Sequence, residues 1–185
     1  NNKDEIDILF VGQGAGKQED INLNSDNINR EPFIGRAGKY LREIIKFLWD
    51  DGHNFNIALS NNVRCHPVNE NGKDRAPTLE EISRCSIYLY RDIFNLSPKC
   101  IIPLGMCSTM TFLPELCNKS MNKIRGNKYI RNIQIDNKCN SFNIISTYHP
   151  SFLCRINGKF DRNKQDKYTK LVLNDIKLAL KIDER

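Results

Sequence analysis

The chain has 185 residues, of which 39% are hydrophobic and 27% charged, and its net charge is +6 at pH 7. These values fit one globular domain over 1–185 and exclude disordered or fibrous classes of protein. No apolar run approaches the roughly 18 residues that a membrane helix needs. The modest positive charge is compatible with a polyanionic partner but does not require one. The seven cysteines are odd in number and lack the spacing of a small disulfide-stapled domain, which favours a reducing compartment. We expect a cytoplasmic monomer that contacts no membrane.

The first half of the chain alternates predicted strands and helices. Residues 6–11 predict a buried strand because apolar side chains are nearly consecutive there, and helical apolar spacing predicts a helix over 37–48. Residues 55–60 predict a second strand. Thr78 and Glu81 form a capping-box signature, which predicts that the next helix begins there.

The second half continues the same alternation. Residues 100–104 predict a third strand, 128–135 an outer strand and 142–147 a further strand, and an amphipathic helix is predicted over 166–181, with Leu171, Val172, Leu178 and Ala179 facing inward. This order predicts a three-layer α/β/α sandwich with a central, mostly parallel sheet of about four strands. Because sites in such sheets lie at the carboxyl ends of the strands, the polar loops that follow them should converge.

The loop after the first strand reads Gly12-Gln13-Gly14-Ala15-Gly16. It is not a dinucleotide-binding fingerprint, because Lys17 stands where the third glycine is needed, and it lacks the Gly-Lys-Ser/Thr of a P-loop. By itself the loop predicts only a tight turn after a strand.

Three further residues each have a structural and a functional interpretation. Phe33 precedes a predicted helix, where it is either a hydrophobic staple or a ring that stacks on a flat ligand. Asn61 ends a strand, where it either forms a turn or reads the edge of a ligand through its amide. His149 follows a strand and, taken alone, is more often structural than catalytic.

The order of the motifs carries more information than any one of them. In sequence they are GQGAGKQED (12–20), EPFIGRAG (31–38), SNNVRCHP (60–67), PTLEEISRC (77–85), KIRG (123–126) and TYHPSFLCR (147–155). This series resembles the uracil-DNA glycosylase superfamily, and is most similar to its iron–sulfur branch, family 4. The resemblance covers nearly the whole chain.

The resemblance implies roles for the residues of the base pocket. His149 matches the histidine that donates a hydrogen bond to the O2 atom of the departing base. Phe33 matches the ring that stacks on the flipped base, and Asn61 matches the amide that reads the pyrimidine edge. Gly12 and Gly14 lie in the loop that contacts the base and positions the attacking water.

The resemblance also implies DNA as the partner and a set of DNA-binding residues. Ser151 matches the loop that pinches the DNA backbone, and residues 152–155, which include Arg155, lie where the family inserts a wedge into the duplex. Lys123 and Arg125 are expected phosphate contacts.

The chain departs from the family pattern in the first loop. Gln13 stands where the family usually has glutamate, and an amide can hold a water but cannot act as a base. Glu19 and Asp20 are alternative candidates for orienting the water, although a solvated acidic pair is the interpretation we favour. Ala15 replaces a proline, which leaves room for a pyrimidine with a substituent at C5.

A structural 4Fe–4S cluster is the one cofactor that the resemblance raises. Cys65 and Cys85 match the last two cluster ligands, but four thiolates are needed and the upstream cysteine pair does not occur in this sequence. Either that pair lies upstream or the cluster has been lost, and we favour loss. No cofactor is required for the chemistry.

The resulting prediction is a monofunctional DNA glycosylase that hydrolyses the N-glycosidic bond of a flipped-out pyrimidine nucleotide, with uracil as the default base, and leaves an abasic site. One alternative is a glycosylase for a modified cytosine in phage DNA, such as a hydroxymethylated or glucosylated one, which would act in anti-phage defence. A second alternative is a catalytically silent relative that binds DNA.

Overall fold

The computed structural model describes residues 5–17, 19, 32–163 and 166–181. In these ranges the strands are β1 (Ile8–Gly14), β2 (Ile57–Val63), β3 (Cys100–Pro103), β4 (Lys128–Ile135) and β5 (Lys138–Ile145). The helices are α1 (Arg36–Asp50), α2 (Leu79–Leu96), α3 (Gly105–Phe112), α4 (Met121–Ile124), α5 (Pro150–Asn157) and α6 (Lys167–Leu180), and a short 3-10 turn spans Pro114–Leu116.

The strands form one sheet in the order β2-β1-β3-β5-β4. All neighbouring pairs are parallel except β4 and β5, which form an antiparallel hairpin. The mostly parallel sheet is confirmed, but the sheet has five strands rather than about four. The outer strand predicted over 128–135 is confirmed as β4, which forms the antiparallel edge and is the fifth strand of the sheet.

Helices cover both faces of the sheet, which confirms the three-layer arrangement. Along β1, Ile8 and Phe10 pack into one apolar core with α1 and α6, whereas Leu9 and Val11 pack into a second core with α2 and the end of α3. All four side chains are fully buried. Such a strand reads as a continuous apolar run because both of its faces are covered.

The capping box at the start of α2 is confirmed. The Thr78 side chain accepts a hydrogen bond from the Glu81 backbone N–H, and the Glu81 carboxylate accepts one from the Thr78 backbone N–H at 2.7 Å. Both contacts join residues three positions apart, so the local sequence is sufficient to specify them.

The inward face of α6 differs in part from the prediction. Val172 and Ala179 are buried as expected, but Leu178 is 39% exposed, and Leu173 and Ile176 are buried instead. The buried positions follow i, i+3 and i+4 spacing, and Leu178 lies outside that stripe.

Helix α5 was not among the predicted elements. It begins directly after His149, with Pro150 at its first position, where the fixed φ of proline and its missing N–H are tolerated. This helix carries several of the residues around the candidate site.

The described ranges contain no helix that is both long enough and apolar enough to cross a bilayer. The seven cysteines are all free thiols, and Cys100 lies in the core as a small buried side chain.

Candidate functional site

A cavity of about 830 Å³ lies at the carboxyl ends of the parallel strands. The first loop, the segment before α1, the end of β2, the start of α3 and the start of α5 all line it. It brings together Gln13, Gly14, Phe33, Asn61 and His149 with Ser151 and Arg155. The predicted convergence of the loops at this edge of the sheet is therefore confirmed.

Gly12 is the point on which the Phe33 ring and the Asn61 amide converge. Gly12 lies opposite Asn61 in the register of β1 and β2. A Cβ atom at Gly12 would lie 2.3 Å from Asn61 Oδ1 and 2.5 Å from Phe33 Cζ. A glycine is required here because any side chain would occupy the space of both groups.

Phe33 is held in a backbone conformation that it would not adopt by preference. Its φ is 63°, in the left-handed region that disfavours residues other than glycine, and the residue is only 6% exposed. Gly38, in the first turn of α1, allows this conformation, because a Cβ there would lie 1.7 Å from the Phe33 carbonyl oxygen. The tertiary packing therefore holds the ring at the cavity wall.

His149 is the N-cap of α5, and this contact defines its tautomer. Its Nδ1 accepts hydrogen bonds from the Ser151 backbone N–H at 3.1 Å and from Ser151 Oγ at 2.8 Å. Because a backbone N–H can only donate, Nδ1 carries no proton in the neutral ring and the hydrogen resides on Nε2. Burial, together with the positive charge of Arg155, lowers the pKa of His149 to about 4.

The backbone at Gly105 makes room for that imidazole. Gly105 has a φ of 77°, and a Cβ on it would lie 2.9 Å from His149 Cβ. Its backbone N–H donates to the Thr147 carbonyl at 2.8 Å, so the start of α3 is joined to the segment that carries the histidine.

The low pKa of His149 predicts that the side chain is neutral throughout the physiological pH range. Because the pKa of His149 is lower in the folded state than in the unfolded state, protonation favours unfolding. The contribution of neutral His149 to the free energy of unfolding is therefore complete above pH 6.5 and is lost as the pH falls from 6.5 towards about 4. Histidine-selective NMR should show the His149 ring still neutral at pH 6, with its signals assigned by their loss in His149→Asn. A midpoint above pH 6 would contradict the assignment of His149 as a neutral donor.

Gln13 contacts the loop that follows β2. Its Nε2 donates to the Arg75 carbonyl oxygen at 3.3 Å. Asp20, the first alternative for orienting a water, lies outside the described residues. The prediction that Glu19 is a solvated acid is wrong. Its carboxylate accepts hydrogen bonds from the backbone N–H groups of Gly16 at 3.0 Å and Ile34 at 3.2 Å.

Helix α5 carries the residues that were predicted to bind the DNA backbone. Ser151 and Arg155 both line the cavity, and Arg155 Nη1 lies 3.5 Å from Ser151 Oγ. In the predicted wedge segment, Leu153 and Cys154 are buried, and Phe152 packs against the core, so Arg155 is the exposed side chain of 152–155.

Lys123 and Arg125 are not among the residues that line the cavity. The expected phosphate contact at Arg125 is corrected, because its guanidinium pairs with the buried carboxylate of Asp175 and donates to the Leu171 carbonyl at 2.9 Å. Asp175 also accepts from Thr147 Oγ1 at 2.5 Å. The ion pair ties α6 to the segment after α4, and the Thr147 hydrogen bond ties α6 to the segment that leads to His149.

Removing the Asp175 carboxylate should destabilise the protein strongly. We expect Asp175→Ala to lower the free energy of unfolding by about 3–5 kcal/mol, because it leaves the charge of Arg125 buried and unpaired. Urea unfolding followed by circular dichroism measures this change. Glu115→Gln is the matched control, since it breaks the more exposed pair with Arg131 and should cost less than about 1 kcal/mol.

Sequence reasoning expected the loop after β2 to reach the site but did not single out Asp74 or Arg75. His66, Asp74 and Arg75 from this loop line the cavity, and His66 Nε2 lies 2.9 Å from Asp74 Oδ1. The position of the loop in the sequence was a usable signal, because the loop follows the carboxyl end of the strand that carries Asn61.

Cys65 and Cys85 line a separate cavity of about 360 Å³ between this loop and α2. Among the residues that the structure describes, no group of three or more Cys, His, Asp or Glu side chains is placed to hold a metal. A four-iron cluster requires four thiolates, so these two thiols do not complete such a site by themselves. Loss of the cluster stays a prediction.

Comparison with known proteins agrees with this geometry. Residues 2–177 match the family model described as the uracil DNA glycosylase superfamily. The chain is 32% identical over 173 residues to the type-4 uracil-DNA glycosylase of Thermotoga maritima, an alignment that covers 93% of this chain and 75% of the relative. It is 33% identical to the Sulfurisphaera tokodaii protein of the same name and 34% identical to that of Saccharolobus solfataricus, over 80% of this chain in both cases. The chain spans 60% and 62% of these two relatives' lengths.

The fold and the cavity together define a class: an α/β protein whose pocket, at the carboxyl ends of a mostly parallel sheet, is lined by the Phe33 ring, the Asn61 amide and the His149 imidazole. The chain belongs to the uracil DNA glycosylase superfamily.

Proposed function

We propose that the protein is a monofunctional DNA glycosylase that takes a uracil nucleotide out of the DNA stack and hydrolyses its N-glycosidic bond. The observation that carries this proposal is the convergence of Phe33, Asn61 and His149 in one cavity. Each supplies a different contact that a flipped pyrimidine needs. The similarity to relatives named type-4 uracil-DNA glycosylase supports uracil as the base.

The binding step depends on Phe33 and Asn61. Extruding a base from a duplex costs a few kcal/mol, and stacking on an aromatic ring offsets about 1–3 kcal/mol of that cost. The Asn61 amide offers one acceptor and two donors, which suits the N3 and O4 edge of uracil. Lys17, Arg36 and Arg155 line the same cavity and provide positive charge for the DNA backbone.

The chemical step depends on His149. When the bond between C1′ and the base nitrogen breaks, its electron pair stays with the base, and negative charge develops on the O2 atom. The Nε2–H of neutral His149 donates to that oxygen, and one such preorganised donor is worth about 3–4 kcal/mol in the transition state. Water then adds to C1′, and the products are an abasic sugar and the free base, which together gain the elements of one water.

We further propose that DNA is the partner, that the protein acts as an intracellular monomer with all of 1–185 forming one domain, and that this chemistry uses no cofactor. The catalytic groups of the proposal are side chains of the chain itself. Hydrolysis of an N-glycosidic bond requires no electron transfer, so a cluster at Cys65 and Cys85 would have only a structural role.

The test is a strand-nicking assay with alkali on matched duplexes that contain uracil, cytosine, 5-hydroxymethylcytosine or its glucosylated form. Cleavage at uracil supports the proposal. Cleavage at a modified cytosine alone would replace uracil as the substrate and favour a role in defence. Binding without cleavage of any duplex would indicate a silent relative and would overturn the proposed activity.

A further inference from the structure

The orientation of the Gln13 amide follows from its neighbour. The Arg75 carbonyl, 3.3 Å away, can only accept, so the amide presents Nε2 to it. The Oε1 atom therefore lies at the other end of the amide. Because Gln13 lines the main cavity, that oxygen is an acceptor available to a water molecule there.

The position of the Arg75 carbonyl is in turn held by the Arg75 side chain. Its guanidinium donates to both oxygens of Glu81 at 2.7 Å and to the Val68 carbonyl at 2.9 Å. Its backbone N–H donates to the Pro67 carbonyl at 3.1 Å. A residue with this many contacts has little freedom to move its own carbonyl group.

Glu81 anchors this arrangement to a helix. Its carboxylate accepts a hydrogen bond from the Thr78 N–H in the capping box of α2, and Arg75 together with this contact lowers the pKa of Glu81 to about 2. The loop also lies close to the end of β1, since a Cβ added at Gly14 would come within 3.2 Å of Pro67 Cδ. A continuous series of contacts thus runs from the start of α2 to the Gln13 side chain.

We propose that Arg75 and Glu81 are positioning residues for Gln13, and that they orient its amide so that Oε1 holds the attacking water. The inference rests on the proposed glycosylase function. It accounts for a loop with glutamine in place of a carboxylate: the amide does not take a proton, but an amide with one defined orientation presents an acceptor to the water in one defined place. Without the Arg75 carbonyl, the two ends of the amide could exchange and a donor could face the water.

The test is a double-mutant cycle between Glu81→Gln and Gln13→Ala, measured as single-turnover uracil excision. We expect Glu81→Gln to lower the rate about tenfold when Gln13 is present, since small misplacements of a catalytic group have effects of this size or larger. In the Gln13→Ala background the same change should lower the rate less than twofold. Affinity for a duplex that carries a tetrahydrofuran abasic analogue should change less than twofold throughout.

Glu80→Gln is the matched control. It removes the same charge from the neighbouring position of α2, where Glu80 pairs with Arg84 in an exposed contact, and it should leave the rate unchanged. Thermal unfolding of every variant separates positioning from loss of the fold. Equal rate losses from Glu81→Gln with and without Gln13 would overturn the proposal. Absence of uracil excision by the unmodified protein would instead refute the proposed function.

Discussion

Replacing His149 with alanine is expected to lower the rate of uracil excision by about 10²–10³-fold, the usual effect of removing one preorganised donor to a developing oxyanion. The affinity for DNA should change much less, because the donor acts on charge that appears only in the transition state. Single-turnover excision rates and binding to an abasic analogue measure the two effects separately. Equal losses in rate and in affinity would contradict this role.

The structural role of His149 requires a second variant. Its Nδ1 caps α5, so His149→Ala also removes a cap, with an expected cost of about 1 kcal/mol in stability. Asparagine is a good N-cap but lacks the Nε2–H, so His149→Asn should retain the stability and still lose the activity. Full activity in His149→Asn would show that capping is the main role. His53→Ala, whose imidazole lies outside the main cavity, is the matched control and should be neutral.

Adding one methyl group at Gly12 is expected to lower kcat/KM more than 100-fold while the protein stays folded. A Cβ there would lie 2.3 Å from Asn61 Oδ1 and 2.5 Å from Phe33 Cζ, closer than atoms in contact can approach. Both base-binding groups would have to move, and displacements of about 1 Å at a reacting site can cost 10²-fold. Excision kinetics on a uracil duplex measure the loss.

Gly16→Ala is the control for that substitution. It lies in the same first loop, but the nearest atom to its added Cβ would be Glu19 Oε1 at 3.9 Å, an ordinary contact distance. We expect Gly16→Ala to keep activity within about threefold, since such a contact requires no neighbour to move. Unchanged activity in Gly12→Ala would mean that the ring and amide do not need their observed positions, and would remove the main support for the base pocket.

Local patterns predicted those elements whose determinants are close together in the chain. The capping box joins Thr78 to Glu81, and the start of α2 follows from it. The continuous apolar run of β1 reflects burial on both faces of the sheet. The buried face of α6 was harder to predict, because its burial depends on partners distant in the sequence.

The fold class, the family and the groups of the candidate pocket follow from the amino-acid sequence, since strand and helix periods and the ordered motifs are properties of the chain alone. The three-dimensional arrangement is needed to see which partners those groups have. It pairs Arg125 with Asp175 rather than leaving it for phosphate, binds Glu19 to the backbone N–H of Ile34, and turns the donor end of Gln13 towards Arg75. Hydrogen bonds and close contacts of this kind join residues far apart in the chain, so no local pattern specifies them.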